Sequence, residues 1–178
     1  MGHNEIKSYL NALVGLPISE MIRTGNMTWV TLGQSRNTNS KNGEVKAIGE
    51  FEWHIQCPWR MVNTTNVKCP LIEFASADMF EPKNGVAATK EFDWKSKDSN
   101  LLDEKFFLWN KKNDKPQVTE VKFNTLGDLR LYLSNNCILE VFSNNSAEGE
   151  YSECWRIFST SGAKDHLIGM GNKFIFEY

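Results

Sequence analysis

Phe51-Glu52-Trp53-His54-Ile55-Gln56-Cys57-Pro58-Trp59-Arg60-Met61-Val62 carries the clearest periodic pattern in the chain. Every odd position from Phe51 to Met61 is apolar or aromatic, and the even positions to Arg60 are polar apart from Pro58. A period of two belongs to a β-strand with one face on a core and the other in water. Pro58 has no amide proton to give to a ladder, so the later part of the stretch reads as an edge or a bend. Gly49, just upstream, reads as a bulge.

On the N-terminal side the alternation starts at Val45. Residues 33–44 are polar with nothing to bury and predict a mobile loop. Residues 19–24 and 27–32 flank Gly25-Asn26 and predict a hairpin. Before them, Ile6, Tyr9, Leu10, Leu13 and Val14 recur at helical spacing. Asn4 stands as a candidate N-cap, Gly15 as a C-terminal glycine, and Pro17 blocks continuation. An amphipathic helix over residues 5–14, packed on a sheet, follows.

Towards the C-terminus, Asn63–Asn66 reads as a turn and Leu71–Phe74 as a short strand. Residues 75–86, with Pro82 and Asn84-Gly85, read as a loop. Ser99 or Asn100 caps a helix carrying Leu101, Leu102, Phe106, Leu108 and Trp109. The last third is a meander. Strands are expected over 118–123, from 126 or 128 to 133, over 137–142 and over 151–158, followed by a hairpin of 167–170 and 174–176 around Gly171-Asn172. Hairpin-linked strands with two helices predict a single α+β domain over 1–178. Its core is a mainly antiparallel sheet, sandwiched or half-rolled, with an N-terminal helix and one further helix.

Bulk properties agree. The 178 residues are 40% hydrophobic and 24% charged, ordinary for a globular domain that buries a core without metal or disulfides. A net charge of -2 gives no basic field for nucleic acid or an anionic membrane. No run of about 18 apolar residues and no basic, apolar leader is present, so neither a membrane span nor export is expected. Cys57, Cys69, Cys137 and Cys154 form no C-x-x-C pair and read as free thiols of a cytoplasmic protein.

Little in the chain assembles into chemistry. His3, His54 and His166 are scattered and give no metal-ligand spacing. There is no nucleophile elbow or phosphate loop, so no catalytic set, metal or cofactor is expected. The one internal echo is a Trp-Arg step, Trp59-Arg60 and Trp155-Arg156. Neighbours in a strand face opposite ways, so the tryptophans read as core and the arginines as outward. There Arg60 or Arg156 either pairs with carboxylates or grips an anionic ligand. A second candidate is the loop holding Glu91, Asp93, Trp94 and Asp98. An aromatic ring among carboxylates is either an anchor that pins the loop or a contact for a basic protein partner.

The motifs His54-Ile55-Gln56-Cys57-Pro58-Trp59-Arg60 and Glu153-Cys154-Trp155-Arg156-Ile157-Phe158, with Leu13 to Pro17 and Trp29 to Gly33, carry a resemblance. The chain resembles a family of small uncharacterised bacterial proteins, and the motifs cover most of its length in order. That family is similar in type to the immunity proteins of bacterial toxin systems. The resemblance implies a non-enzymatic cytoplasmic protein that neutralises a toxin domain encoded nearby by direct contact. It transfers no catalytic residue. The alternative expectation is a small-ligand (anion) binding domain using Arg60 or Arg156.

Overall fold

The computed structural model describes residues 2–39, 45–83, 92–146, 149, 152–161 and 166–177. In chain order the elements are α1 (His3–Asn11), β1 (Ile18–Thr24), β2 (Met27–Leu32), β3 (Arg36–Asn39), β4 (Val45–Ile48), β5 (Phe51–Ile55), β6 (Trp59–Asn63) and β7 (Leu71–Ala75). There follow a 3-10 helix (Ser76–Phe80), α2 (Leu101–Asn110), β8 (Val118–Phe123), β9 (Leu129–Leu133), β10 (Cys137–Val141), β11 (Trp155–Ser159), β12 (His166–Gly169) and β13 (Phe174–Glu177). One six-stranded sheet runs β1-β2-β5-β11-β12-β13 and one five-stranded sheet runs β7-β6-β10-β9-β8, with every pairing antiparallel. This is the α+β, mainly antiparallel architecture expected.

The deciding stretch is two strands, one in each sheet. β5 pairs with β2 and β11, β6 pairs with β7 and β10, and Pro58 lies in the bend between them. The period of two runs unbroken through that bend. Trp53, Ile55, Cys57, Trp59 and Met61 are all buried in one hydrophobic cluster between the sheets. The even residues face outward, through the six-stranded sheet before the bend and through the five-stranded sheet after it.

The two echoing tryptophans tie the layers together. Trp59 Nε1, on the five-stranded sheet, donates to Thr28 Oγ1 on β2 at 2.9 Å. Trp155 Nε1, on the six-stranded sheet, donates to the Gly127 carbonyl just before β9 at 2.8 Å. A buried indole N–H needs such a partner, and here each partner lies in the opposite layer. The helices plug the openings of the sandwich. On α1, Ile6 and Leu10 face the core and Tyr9 packs edge-on against Phe51 and Phe176. α2 lies against β1 and the 3-10 helix.

Four local expectations change. Gly2, and not Asn4, occupies the N-cap of α1. Arg36–Asn39, inside the stretch read as a loop, pairs with Val45–Ile48, where the alternation was expected to begin, as a separate two-stranded hairpin, and residues 40–44 lie outside the described residues. Ser76–Phe80 is a 3-10 turn in which Asp78 Oδ2 accepts from the Ala75 amide at 2.9 Å, a side-chain cap that composition alone hides. Gly49 is no bulge. It separates β4 from β5, and a Cβ there would overlap the Leu32 carbonyl.

Candidate functional site

The loop before α2 and α2 itself form one surface, built outward from Arg23. The Arg23 guanidinium grips Asp103 of α2 at both ends, Nε to Oδ1 at 2.9 Å and Nη2 to Oδ2 at 2.8 Å. It also donates to the Gly25 and Ser96 carbonyls. The hydrogen bonds it donates to the Asp103 carboxylate hold its pKa above the ordinary arginine value. Both side chains are buried, at 4% and 10% exposed, so the pair locks the β1–β2 turn, the loop and the helix to one another.

Of the loop residues singled out in the sequence, Glu91 lies outside the described residues. Asp93 is exposed, and its carboxylate shapes the turn: Oδ1 accepts from the Lys95 amide at 3.0 Å and Oδ2 from Ser96 Oγ at 3.2 Å. Trp94 is half-buried, packs edge-on against Phe80 at 5.2 Å and carries Lys95 Nζ above its ring. Asp98 takes a left-handed backbone (φ 60°) beside Arg23. The structure therefore gathers Asp93, Trp94 and Asp98 in one short loop. Lys95 and Lys97 balance the two carboxylates, so the described loop carries no acidic excess.

α2 is capped by Asn100, whose Oδ1 accepts from the Asp103 amide at 2.9 Å while its Nδ2 donates to the Trp94 carbonyl. At its other end Asn110 bonds both the amide and the carbonyl of Met21 on β1, at 2.9 and 2.8 Å. A side-chain amide thus replaces the missing neighbour strand at that edge. Leu102, Phe106 and Trp109 turn inward. Phe107 and Leu108 point to solvent, 56% and 54% exposed, and Phe80 is 56% exposed beside Trp94. A groove of about 340 Å³ runs between Ile22, Arg23, Lys95, Asp98 and Phe107. The sequence held the signal for this face: Phe106-Phe107-Leu108-Trp109 is four consecutive apolar residues, which a helix cannot turn to one side.

Arg60 and Arg156 stand on different sheets, each on the face opposite its buried tryptophan. Arg156 is enclosed by carboxylates. It bonds Glu153 through Nε and Nη2, and bonds Glu177 and His166 Nδ1 through Nη1. Arg60 Nε donates to Glu140 Oε2 at 2.7 Å.

Around Arg156 the outer face of the six-stranded sheet is tiled with rings. Trp29, His54, Phe158 and His166 lie in sequence, with centroids 4.0, 5.0 and 4.7 Å apart. Beneath them Glu52 is buried and accepts from Trp29 Nε1, Thr31 Oγ1 and the Gly49 amide. Three donors satisfy a carboxylate that has left water. His54 and His166 thus share one face, a meeting that their separation of 112 positions conceals. Cys57 lies buried beside Cys154, and burial pushes its thiol far above the ordinary range, which disfavours a thiolate. Among the described residues no group of three or more His, Cys, Asp or Glu is placed to hold a metal ion. No helix there is long and apolar enough to cross a membrane.

Comparison with known proteins finds no matching family model, curated protein or solved structure.

Proposed function

We infer that the chain is a non-enzymatic binding protein acting by direct protein–protein contact. In its most concrete form it is an immunity protein that caps a toxin domain. The contact surface is centred on α2 and the 92–100 loop. One observation carries the reading: Phe107 and Leu108 are more than half exposed on a helix whose opposite side is anchored by Asn100, Asn110 and the Arg23–Asp103 pair. Large apolar side chains on a rigid support, with Phe80 and Trp94 alongside, are what interface anchors are made of. Asp93 and Asp98 then contribute at the rim, where charges set orientation and on-rate more than affinity. The four free cysteines support a reducing, cytoplasmic setting.

The test is affinity capture of the full chain co-expressed with the proteins encoded beside it. A stable one-to-one complex with a neighbouring toxin-like domain is expected. The double variant Phe107→Asp, Leu108→Asp is expected to lose it while keeping the wild-type circular dichroism spectrum. Alanine at Glu91, Asp93, Trp94 and Asp98 tests the rim. A complex that survives both sets of changes places the interface elsewhere.

A further inference from the structure

The outer face of the five-stranded sheet carries a feature independent of the α2 surface. Arg60, Glu140, Arg130 and Lys122 are successive register partners across β6, β10, β9 and β8, so they form one row on the face turned from the core. Glu140 is buried at the centre of the row. Its Oε2 takes Arg60 Nε at 2.7 Å and its Oε1 pairs with Arg130 Nε at 2.9 Å. One carboxylate thus holds two guanidiniums by the same edge. Among the described residues their terminal N–H groups have no hydrogen-bond partner, and the side chains are 42% and 54% exposed. Phe142 supports Arg60 from below, its ring centre 5.1 Å from the guanidinium carbon.

The contrast with Arg156 decides which arginine is available. On the six-stranded sheet one guanidinium meets two carboxylates. On the five-stranded sheet two guanidiniums meet one, which leaves the trio with a net positive charge. Lys122 extends the row, held by an exposed pair with Glu120 at 3.1 Å and by the Tyr132 ring 4.7 Å beneath its Nζ, both weak restraints. Beside it a hollow of about 260 Å³ is lined by Lys122, Asn124, Asp128, Arg130 and Phe142. The Asp128 carboxylate there is already engaged by the Ser143 amide and Asn124 Nδ2, both at 2.9 Å.

We propose that this row binds a phosphate group between Arg60 and Arg130, with Lys122 at its margin and the rest of the ligand in the adjoining hollow. A carboxylate has two oxygens and is matched by one guanidinium fork. A tetrahedral phosphate has oxygens for both forks and for the lysine, and Arg is suited to that planar, two-point recognition. Glu140 supplies the preorganisation, because neither guanidinium has to be ordered when the anion arrives.

The experiment is calorimetric titration of the full chain with inorganic pyrophosphate and, separately, with a short single-stranded oligonucleotide. Wild type is expected to bind pyrophosphate. Arg60→Gln and Arg130→Gln are each expected to weaken binding by about tenfold or more. In either variant Glu140 keeps one arginine, so the fold is retained, and circular dichroism checks this. Lys7→Gln, an exposed position on α1 outside the row and the hollow, is expected to leave the affinity unchanged. Tighter binding of the oligonucleotide through the same two arginines, falling steeply with salt, assigns the phosphate to a nucleic-acid backbone. Preference for pyrophosphate assigns it to a small phosphate ester. The proposal is overturned if neither probe binds wild type, or if binding is unchanged in both arginine variants.

Discussion

Gly169 and Trp155 are register partners on β12 and β11, and the indole lies where a side chain on Gly169 would stand. The indole is wholly buried and its N–H is committed to the Gly127 carbonyl, so it has nowhere to go. Gly169→Ala is expected to destabilise the protein by about 1–3 kcal/mol, read from urea unfolding followed by tryptophan fluorescence. The same scale separates the cysteines. Cys69 is exposed, while Cys57, Cys137 and Cys154 are buried. Burial raises the Cys57 and Cys137 thiols above their ordinary range. A thiol reagent at pH 8 is expected to modify Cys69 rapidly in the native protein and the other three only on unfolding. Fast modification of a second thiol in the native state would contradict that order.

At the scale of elements, local chemistry made some of the structure legible and hid the rest. The β8 strand lies where a strand was expected, over 118–123. The cap of α2 was readable because Asn100 sits directly before an apolar helical run. Asn100 is fully buried and serves two backbone groups, so Asn100→Ala is expected to cost about 1–2 kcal/mol, visible as a lowered midpoint in thermal unfolding. β3 escaped because its hairpin with β4 belongs to neither sheet, and Arg36-Asn37-Thr38-Asn39 is polar throughout with no periodic pattern. The bend at Pro58 between β5 and β6 was readable, but the change of sheet across it escaped for the opposite reason. The pattern is continuous across it, and only the identity of the partner strands, β2 and β11 on one side and β7 and β10 on the other, reveals two sheets. The loop of Asp93, Trp94 and Asp98 could be located from composition. The exposure of Phe107 and Leu108 could not be assigned to a side of α2 without knowing where β1 lies. The Arg60–Glu140–Arg130 row depends wholly on register between distant strands.

Across the whole molecule, neither sheet is built from a contiguous half of the chain. β5 joins β11, and β6 joins β10, so each layer closes only when the C-terminal third arrives. The shared core and the two crossing indole hydrogen bonds then link the layers. Unfolding is expected as one transition, with far-ultraviolet circular dichroism and tryptophan fluorescence superimposing in urea. Refolding by stopped flow is expected on the millisecond-to-second scale typical of non-local β topologies. Separated transitions by the two probes would mean that the sheets unfold independently.

The bend at Pro58 has a consequence for how the gene can change length. Parity is carried from one layer to the other through Gln56, Cys57 and Pro58. One extra codon there puts the two layers out of step: with β5 in place, Trp59 and Met61 are turned to water and Arg60 into the core. Substitutions along this segment are judged one side chain at a time, whereas an insertion is judged by every residue that follows it in β6. A single alanine inserted after Gln56 is expected to yield insoluble chain on expression. The same insertion between Thr65 and Asn66, in the exposed connection to β7, is expected to leave soluble yield near wild type.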